Sequence, residues 1–383
     1  MKKILIVLVS LFCLFGLVGC SGGADAAPTS IKIGGSGPLT GSAAVYGSDV
    51  KNAAELAVKE INEKEGTDFF AFQFEDDEAD PEKSPNAYGV LKDWGMQISI
   101  YTTTSGAGLA VAEDYFNDRI FALTPSGSNT GLVYSGSKNY DNCFQVCFTD
   151  PNQGVASAQY IKTKNLGSKV AVIYRSDDDY STGIYQTFKA TADTIGLDVV
   201  YEGSFINSDA DYSTQLTAAQ AAGADVVYLP IYYDPASIIL TQANAMGYAP
   251  VFFGVDGMDG ILAIEGFDTS LAEGVYLLTP FAADATDDNT VSFVNAFKEA
   301  YGQVPTQFGA DAYDAVYAIY EACKAGNVTP DMSAEDICDI MIAQFTSMSF
   351  DGLTGTATWN EKGEVSKSPK AVIINNGAYV AAE

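Results

Sequence analysis

The chain has 383 residues, with 49 acidic side chains against 20 basic ones, a formal net charge of −29 and no histidine. A body this acidic repels nucleic acid and anionic lipid, and the lack of histidine excludes Ser-His-Asp and Cys-His nucleophiles and any His-ligated metal site. Hydrophobic residues make up 47% of the chain, enough to build the cores of two domains of ordinary size.

Lys2 and Lys3 form a basic start, and Ile4 to Val18 is apolar apart from Ser10 and Gly16. That run is shorter than the about 20 residues a membrane-spanning helix needs and has the length of a signal-peptide core. It ends in Leu17-Val18-Gly19-Cys20, which resembles the bacterial lipobox. Residues 1–19 therefore read as a signal peptide and Cys20 as the lipidation site. Residues 20–29 are Gly- and Ala-rich and read as a flexible lipidated tether. An acyl anchor of this kind leaves the mature chain on the membrane without spanning it.

The body reads as alternating strands and helices. Ile31 to Gly34 is a strand, Asp49 to Lys64 an amphipathic helix and Phe69 to Phe74 a strand. Asp80-Pro81 is expected to start the next helix, with Asp80 as N-cap and Pro81 in the first turn. Gln97 to Tyr101 is a strand, Gly106 to Phe116 a helix and Ile120 to Leu123 a strand. The pattern restarts after Asp150-Pro151 with a helix to Lys164. Then come a strand (Lys169 to Tyr174), a helix (Ser181 to Ile195), a strand (Asp198 to Gly203) and a helix (Tyr212 to Ala222). Another strand (Asp225 to Leu229), a helix (Pro235 to Met246) and a strand (Pro250 to Gly254) complete this half. Such alternation argues for parallel sheets covered by helices on both faces.

The C-terminal third mixes three helices (Asn289 to Tyr301, Phe308 to Ala325, Ala334 to Phe345) with strands at Thr354 to Trp359 and Ala371 to Asn375. Phe72 to Lys83 and Val200 to Thr214 both run from a strand through an acidic loop into a helix, which suggests two lobes of similar topology. Cys143 and Cys147 are about 13 Å apart along an extended strand and do not bridge without a kink. Cys323 and Cys338 fall on consecutive helices, where a disulfide and two buried thiols are both open.

Five segments in this order resemble one family: IKIGGSGPLTGSAAVYG from Ile31, FEDDEADPEK from Phe74, FALTPSGSNT from Phe121, GVDG from Gly254 and GTATWNEKGEV from Gly355. The chain is similar to the type I periplasmic-binding proteins, in the leucine/isoleucine/valine-binding branch of ABC importer substrate-binding lipoproteins. The resemblance implies an α/β fold of two doubly wound parallel-sheet lobes joined by a three-strand hinge. It places lobe I at 30–148 and 279–366 and lobe II at 149–278 and 367–383. It also implies a hinge closure on ligand.

Ligands of open α/β sheets sit beyond the carboxyl ends of the strands. Thr102-Thr103-Thr104-Ser105-Gly106 supplies hydroxyls at a helix start, a place that attracts an anion. Matching the family loop puts Thr104 at the carboxylate-binding position with Ser105 beside it, and Ser126, Gly127 and Ser128 at the neighbouring polar contacts. Asp256 stands where the family more commonly has a glutamate, as partner of a ligand ammonium. Tyr46, Tyr180, Tyr233 and Phe308 match cleft-lining positions, with Tyr232 replacing Tyr233 if the register slips by one. Asp177-Asp178-Asp179 lacks EF-hand spacing and reads as a solvated loop.

The expected function is extracytoplasmic capture of a branched-chain or other hydrophobic amino acid for an ABC permease, from a lipid anchor on the cell membrane. No nucleophile–base pair and no metal cluster is found by spacing, so no enzymatic activity, metal or cofactor is expected. The alternatives are urea, a short amide or a nucleoside in the same fold, or a ligand-sensing module.

Overall fold

The computed structural model describes residues 28–367 and 370–382. The signal peptide, the lipidation of Cys20 and residues 20–27 of the tether lie outside the described residues. No helix among the described residues is long and apolar enough to cross a membrane.

The first half builds β1 (Ile31–Gly37), α1 (Ala44–Glu65), β2 (Phe70–Asp76), α2 (Ser84–Trp94), β3 (Ile98–Thr102), α3 (Ser105–Asp118) and β4 (Phe121–Thr124). A short ribbon of β5 (Tyr134–Ser135) and β6 (Lys138–Asn139) precedes β7 (Cys143–Gln145). These strands form a five-stranded parallel sheet in the order β2-β1-β3-β4-β7. All five residues of β3 are buried, as expected of a parallel strand covered on both faces.

The second half adds α4 (Asp150–Lys164), β8 (Lys169–Arg175), α5 (Asp179–Ile195), β9 (Asp198–Phe205), α6 (Ser213–Ala221), β10 (Val226–Leu229), α7 (Tyr233–Ala245), β11 (Val251–Gly254) and β12 (Tyr276–Thr279). The chain then forms α8 (Asp288–Tyr301), α9 (Gln307–Gly326) and α10 (Ala334–Phe345), which pack on the first sheet and its helix α1. A hairpin of β13 (Ser349–Gly352) and β14 (Gly355–Thr358) follows, and β15 (Lys370–Asn375) and β16 (Ala378–Ala381) close the chain. The second sheet runs β16-β15-β12-β11-β10-β8-β9, with β15 and β16 antiparallel. Its parallel part, β9-β8-β10-β11-β12, repeats the order of the first sheet. The chain thus passes between two doubly wound sheets three times: after β7, after β12 and after β14.

The strands foreseen at the two acidic loops, β2 and β9, are the edge strands of their sheets, and each loop leads into a helix. In the first, Asp76 accepts hydrogen bonds from Leu39 N at 2.9 Å and the Thr40 hydroxyl at 2.7 Å, and Asp77 accepts from the Ser36 hydroxyl at 2.8 Å. These acids tie down the segment that follows β1.

Several local expectations shift. Helix α2 starts at Ser84, not at Asp80-Pro81; residues 81–83 form a turn in which Asp80 Oδ1 accepts from the Glu82 amide at 2.8 Å. Helix α1 starts at Ala44 rather than Asp49. Asp49 does not cap its own helix; it accepts from Thr306 N at 2.7 Å and the Thr306 hydroxyl at 2.5 Å. The strand β12 was not foreseen: four residues flanked by loops carry little periodic signal. The strand expected at Thr354 to Trp359 pairs in a hairpin, not in a main sheet. Cys143, Cys147, Cys323 and Cys338 are buried free thiols, so the open question at Cys323 and Cys338 resolves to thiols, with Cys323 Sγ 3.8 Å from Met341 Sδ.

Candidate functional site

In a doubly wound sheet the strand order reverses beside the first strand, leaving a crevice at the carboxyl ends there. The two lobes set these crevices against each other. The first turn of α1 brings Tyr46, the end of β3 and start of α3 bring Thr103, Thr104 and Ser105, the loop after β4 brings Ser126, and α9 adds Phe308. From the other lobe, the segments after β8, β10 and β11 bring Tyr180, Tyr232, Asp256 and Gly257. These ten residues line one cavity, with Thr104 and Asp256 on walls from different lobes.

The hydroxyl wall forms where β3 ends and α3 begins. Thr104 is the N-cap residue in extended geometry, but its side chain makes no capping bond. Its Oγ1 is buried without a hydrogen-bond partner. Ser105 Oγ accepts from Asn129 N at 3.2 Å, and the Ser126 hydroxyl donates to Thr103 O at 2.6 Å. The amides of the first turn of α3 and the helix dipole favour negative charge at this wall.

The acidic wall is held by its own lobe. Asp256 Oδ1 accepts from the Tyr180 hydroxyl at 2.5 Å and Oδ2 from Gln153 Nε2 at 2.8 Å. Gly257 makes this approach possible, since a side chain there would meet the Tyr180 oxygen at 2.5 Å. Burial pushes the Asp256 carboxyl up to about 7, partly offset by the Tyr180 bond. Burial likewise pushes the Tyr180 hydroxyl well above its ordinary range. A cation brought beside Asp256 would favour the ionised carboxylate.

Aromatic rings fill the rest. Tyr46 packs edge-on against Tyr232, Tyr233 and Phe308 with centroids 5.4, 4.8 and 4.6 Å away. Tyr180 stacks on Tyr232 at 4.8 Å. In α1, Gly47 lets the chain pass against Pro38, whose carbonyl oxygen would lie 2.1 Å from an added Cβ, and so brings Tyr46 inward. The Tyr46 hydroxyl donates to Gly257 O across the lobes, and Gln307 Nε2 donates to Asp256 O at 3.3 Å. About 10 Å³ of free space remains, the scale of a single water position. Anything larger than a water enters only if the lobes part or Tyr46 swings away.

Three expected residues are not on this wall. Tyr233 lies behind Tyr46, its amide 3.3 Å from the Tyr46 oxygen and its hydroxyl accepting from Val45 N at 3.3 Å. Tyr232 takes the cavity position, because it stands in extended backbone just before α7 while Tyr233 is already in the helix. Gly127 is turned into the seam between β4 and β7, its amide bonded to Thr124 Oγ1 and its carbonyl to Gln145 Nε2, both at 2.8 Å. Ser128 is buried with an unpartnered hydroxyl, and its carbonyl accepts from Asp150 N at 2.9 Å where the chain first crosses between the lobes.

Thr103, Gly257 and Gln153 join the site without having been foreseen. Thr103 was inside the hydroxyl run and Gly257 beside the acid, so both were adjacent to a visible signal. Gln153 lies 103 residues from its partner and had none. Asp177 pairs with Arg175 at 2.7 Å and receives the Asn207 amide, which makes the triple-acid loop structural. No group of three or more metal-ligating side chains occurs among the described residues. A larger hollow beside Asn62 and Asp68 is a shallow dish on one lobe, remote from these groups.

A family model described as Periplasmic binding protein matches residues 30–376. The Leu/Ile/Val-binding protein BraC3 of Rhizobium johnstonii is 28% identical over 364 residues, covering 94% of this chain and 96% of its own. The leucine-, isoleucine-, valine-, threonine- and alanine-binding protein of Pseudomonas aeruginosa is 27% identical and covers 95% of each chain. Among solved structures, the branched-chain amino acid transporter substrate binding protein LivJ of Streptococcus pneumoniae, in complex with isoleucine, aligns with a TM-score of 0.83. Its identity is 25%, over 92% of this chain and 99% of that one. A solute binding protein from R. palustris in complex with benzoate reaches 0.81 at 19% identity, over 92% and 95%, a likeness of fold alone.

Proposed function

The chain belongs to the periplasmic binding protein family, and from that premise we propose that it captures a hydrophobic amino acid between its lobes and presents it to the permease of an ABC importer. The observation that carries this reading is the pairing of Thr104 and Asp256 across one cavity. The free Thr104 hydroxyl and the start of α3, with Ser105 and Ser126, receive the ligand carboxylate. Asp256 receives its ammonium. Tyr46, Tyr180, Tyr232 and Phe308 cover its side chain. Gly127, Ser128 and Tyr233 support these walls from behind.

Lobe I is 30–148 with 279–366 and lobe II is 149–278 with 367–383. The three crossings between them act as the hinge. Ligand docks on lobe I, the lobes close, and only the closed form holds both half-sites together, so binding shifts the population toward it. Each charge-assisted hydrogen bond contributes about 1.5–3 kcal/mol, against the cost of separating the Tyr46–Gly257 contact and ordering the ligand. A net of about −8 kcal/mol corresponds to micromolar affinity. The protein works outside the cytoplasm, held to the membrane by a lipid on Cys20, and has no catalytic role.

The test is a thermal-shift and calorimetric screen of the body from residue 28 against the twenty amino acids, urea, nucleosides and benzoate. Saturable binding of leucine, isoleucine or valine supports the reading. Binding of benzoate or nucleosides with no response to any amino acid overturns it, since neither ligand uses Asp256 as the partner of a cation.

A further inference from the structure

Behind Tyr232 lies a second cavity of about 230 Å³, and Tyr232 is the one residue that lines both this space and the Tyr46–Asp256 cavity. Lobe II supplies most of the wall, including Arg175, Asp178, Asp209, Tyr212 and Asp234, and Ser42 comes from lobe I. The hydroxyls of Tyr46, Tyr180 and Tyr233 each take part in a hydrogen bond. Tyr232 is held through its ring, against Tyr46 at 5.4 Å and Tyr180 at 4.8 Å, with no hydrogen bond from its hydroxyl among the described residues. A rotation of this one side chain would join the two spaces without breaking a hydrogen bond.

Three carboxylates and one guanidinium line the second space. Arg175 Nε is engaged with Asp177 Oδ1 at 2.7 Å. Asp209 Oδ2 accepts from Ile206 N at 2.9 Å, and Asp178 draws on the amides of Tyr180 and Ser181 at the start of α5. Asp234 is different. It stands half-buried in the first turn of α7. No donor among the described residues reaches its carboxylate, and burial alone acts on it, pushing the carboxyl up. Half-burial leaves it within reach of a ligand, and a cation is the partner that a partly desolvated carboxylate lacks. An anionic group would find the remaining nitrogens of Arg175 but would also face the three carboxylates.

We propose that the two spaces form one extended site for an α-amino acid whose side chain ends in a cation, an ammonium or a guanidinium. The proposal rests on the reading that Thr104 and Asp256 hold the α-carboxylate and the α-ammonium. When the lobes part to admit it, the methylene stem settles against Tyr46, Tyr180 and Phe308, as an apolar side chain does, and turns Tyr232 aside. The terminal cation then donates to Asp234 in the second space. Asp234 thereby sets the preference for a charged tail over an uncharged one of the same length.

The probes are L-lysine and L-norleucine, which share an unbranched four-carbon chain and differ by the terminal ammonium. They are titrated calorimetrically into the full chain beside L-leucine and L-glutamate. Lysine should bind at least tenfold more tightly than norleucine. Asp234→Asn should weaken lysine at least tenfold and leave leucine unchanged. Ser208→Lys sets a competing ammonium at the exposed rim of the second space and should weaken lysine alone, which decides the matter if Asp234→Asn fails to fold. Lysine no tighter than norleucine, glutamate tighter than lysine, or lysine binding that survives either folded variant overturns the proposal, and the amino-acid reading stands as long as leucine binds. Binding of no amino acid at all overturns that reading and this one together.

Discussion

The hydroxyl of Tyr180 donates to Asp256 Oδ1 at 2.5 Å while its oxygen accepts the Gly257 amide at 2.9 Å. One phenol thus fixes both the carboxylate and the backbone turn that carries it. With Gln153 on the other oxygen, the acid is oriented by groups of its own lobe, and less order remains to be imposed on binding.

Asp256→Ala removes the proposed partner of the ligand ammonium. Loss of one member of a buried charge pair costs about 2–5 kcal/mol, so calorimetry should show leucine or valine affinity falling roughly 30-fold or more. The circular dichroism spectrum should stay that of the wild type. Undiminished affinity in a folded variant rules out the ammonium role.

Gly257→Ala tests the close approach itself. The new methyl would meet the Tyr180 oxygen at 2.5 Å and Tyr232 Cδ1 at 2.9 Å, in a region with little spare volume. Overpacking of this sort costs about 1–3 kcal/mol. Denaturant melts should show that loss, together with weaker ligand binding as the Tyr180–Asp256 bond lengthens. A variant as stable as the wild type with unchanged affinity would mean that the contact tolerates a side chain.

The carboxyl of Asp256, raised to about 7 from 3.8 by burial, gives opposite pH trends for stability and binding. The native state holds this proton across roughly pH 4–7 while the unfolded chain has released it. The group's contribution therefore weakens as pH rises through that window and is flat above it. Asp49, also raised to about 7 by burial, acts in the same direction. The melting temperature of the free protein should rise on acidification from pH 8 to 5. Amino-acid affinity should fall over the same range, by up to about tenfold per unit below 7, because the ammonium needs the ionised carboxylate. Affinity that is constant from pH 5 to 8 would sink this pairing.

What could be read in the sequence follows the reach of each signal. The hydroxyl runs after β3 and β4 were visible because short apolar strands end in them, and Asp256 because glycines bracket it after Phe252 and Phe253. Tyr232 and Tyr233 could not be separated locally: the cavity position depends on where α7 begins, and one residue of backbone reverses which ring faces inward. The start of α1 carries no local cap signal, since Ala43 makes no side-chain capping bond, and Asp49 sits inside the helix with its partner Thr306 257 residues on. The family resemblance assigns Gly127 and Ser128 to polar contacts of the cavity, whereas here the β4–β7 seam holds the one and the first interlobe crossing the other.

Lys367→Met tests the third crossing. The ammonium donates to Asp311 Oδ1 at 2.7 Å and to the Thr354 hydroxyl, and both side chains of the ion pair are 2% exposed. Removing one partner of a buried pair costs about 3–5 kcal/mol, because the other charge stays buried without compensation. Chemical denaturation should show a loss of that size. A loss below 1 kcal/mol would mean that Asp311 is already neutral or finds water, since burial holds its carboxyl up at about 6 even beside the lysine.

Thr104→Val separates a binding hydroxyl from a structural one. The hydroxyl caps nothing and has no partner, so replacing it with a methyl of similar shape removes an unsatisfied buried group and loses no hydrogen bond. Stability should be unchanged or rise slightly. Binding should fall, because the ligand carboxylate loses one charge-assisted donor worth about 1.5–3 kcal/mol, roughly 10- to 100-fold in affinity. A hydroxyl that merely served the helix start would give the reverse: a lower melting temperature with ligand affinity untouched. Thr104→Ser keeps the donor and should retain wild-type affinity, which assigns the effect to the oxygen rather than to the methyl group.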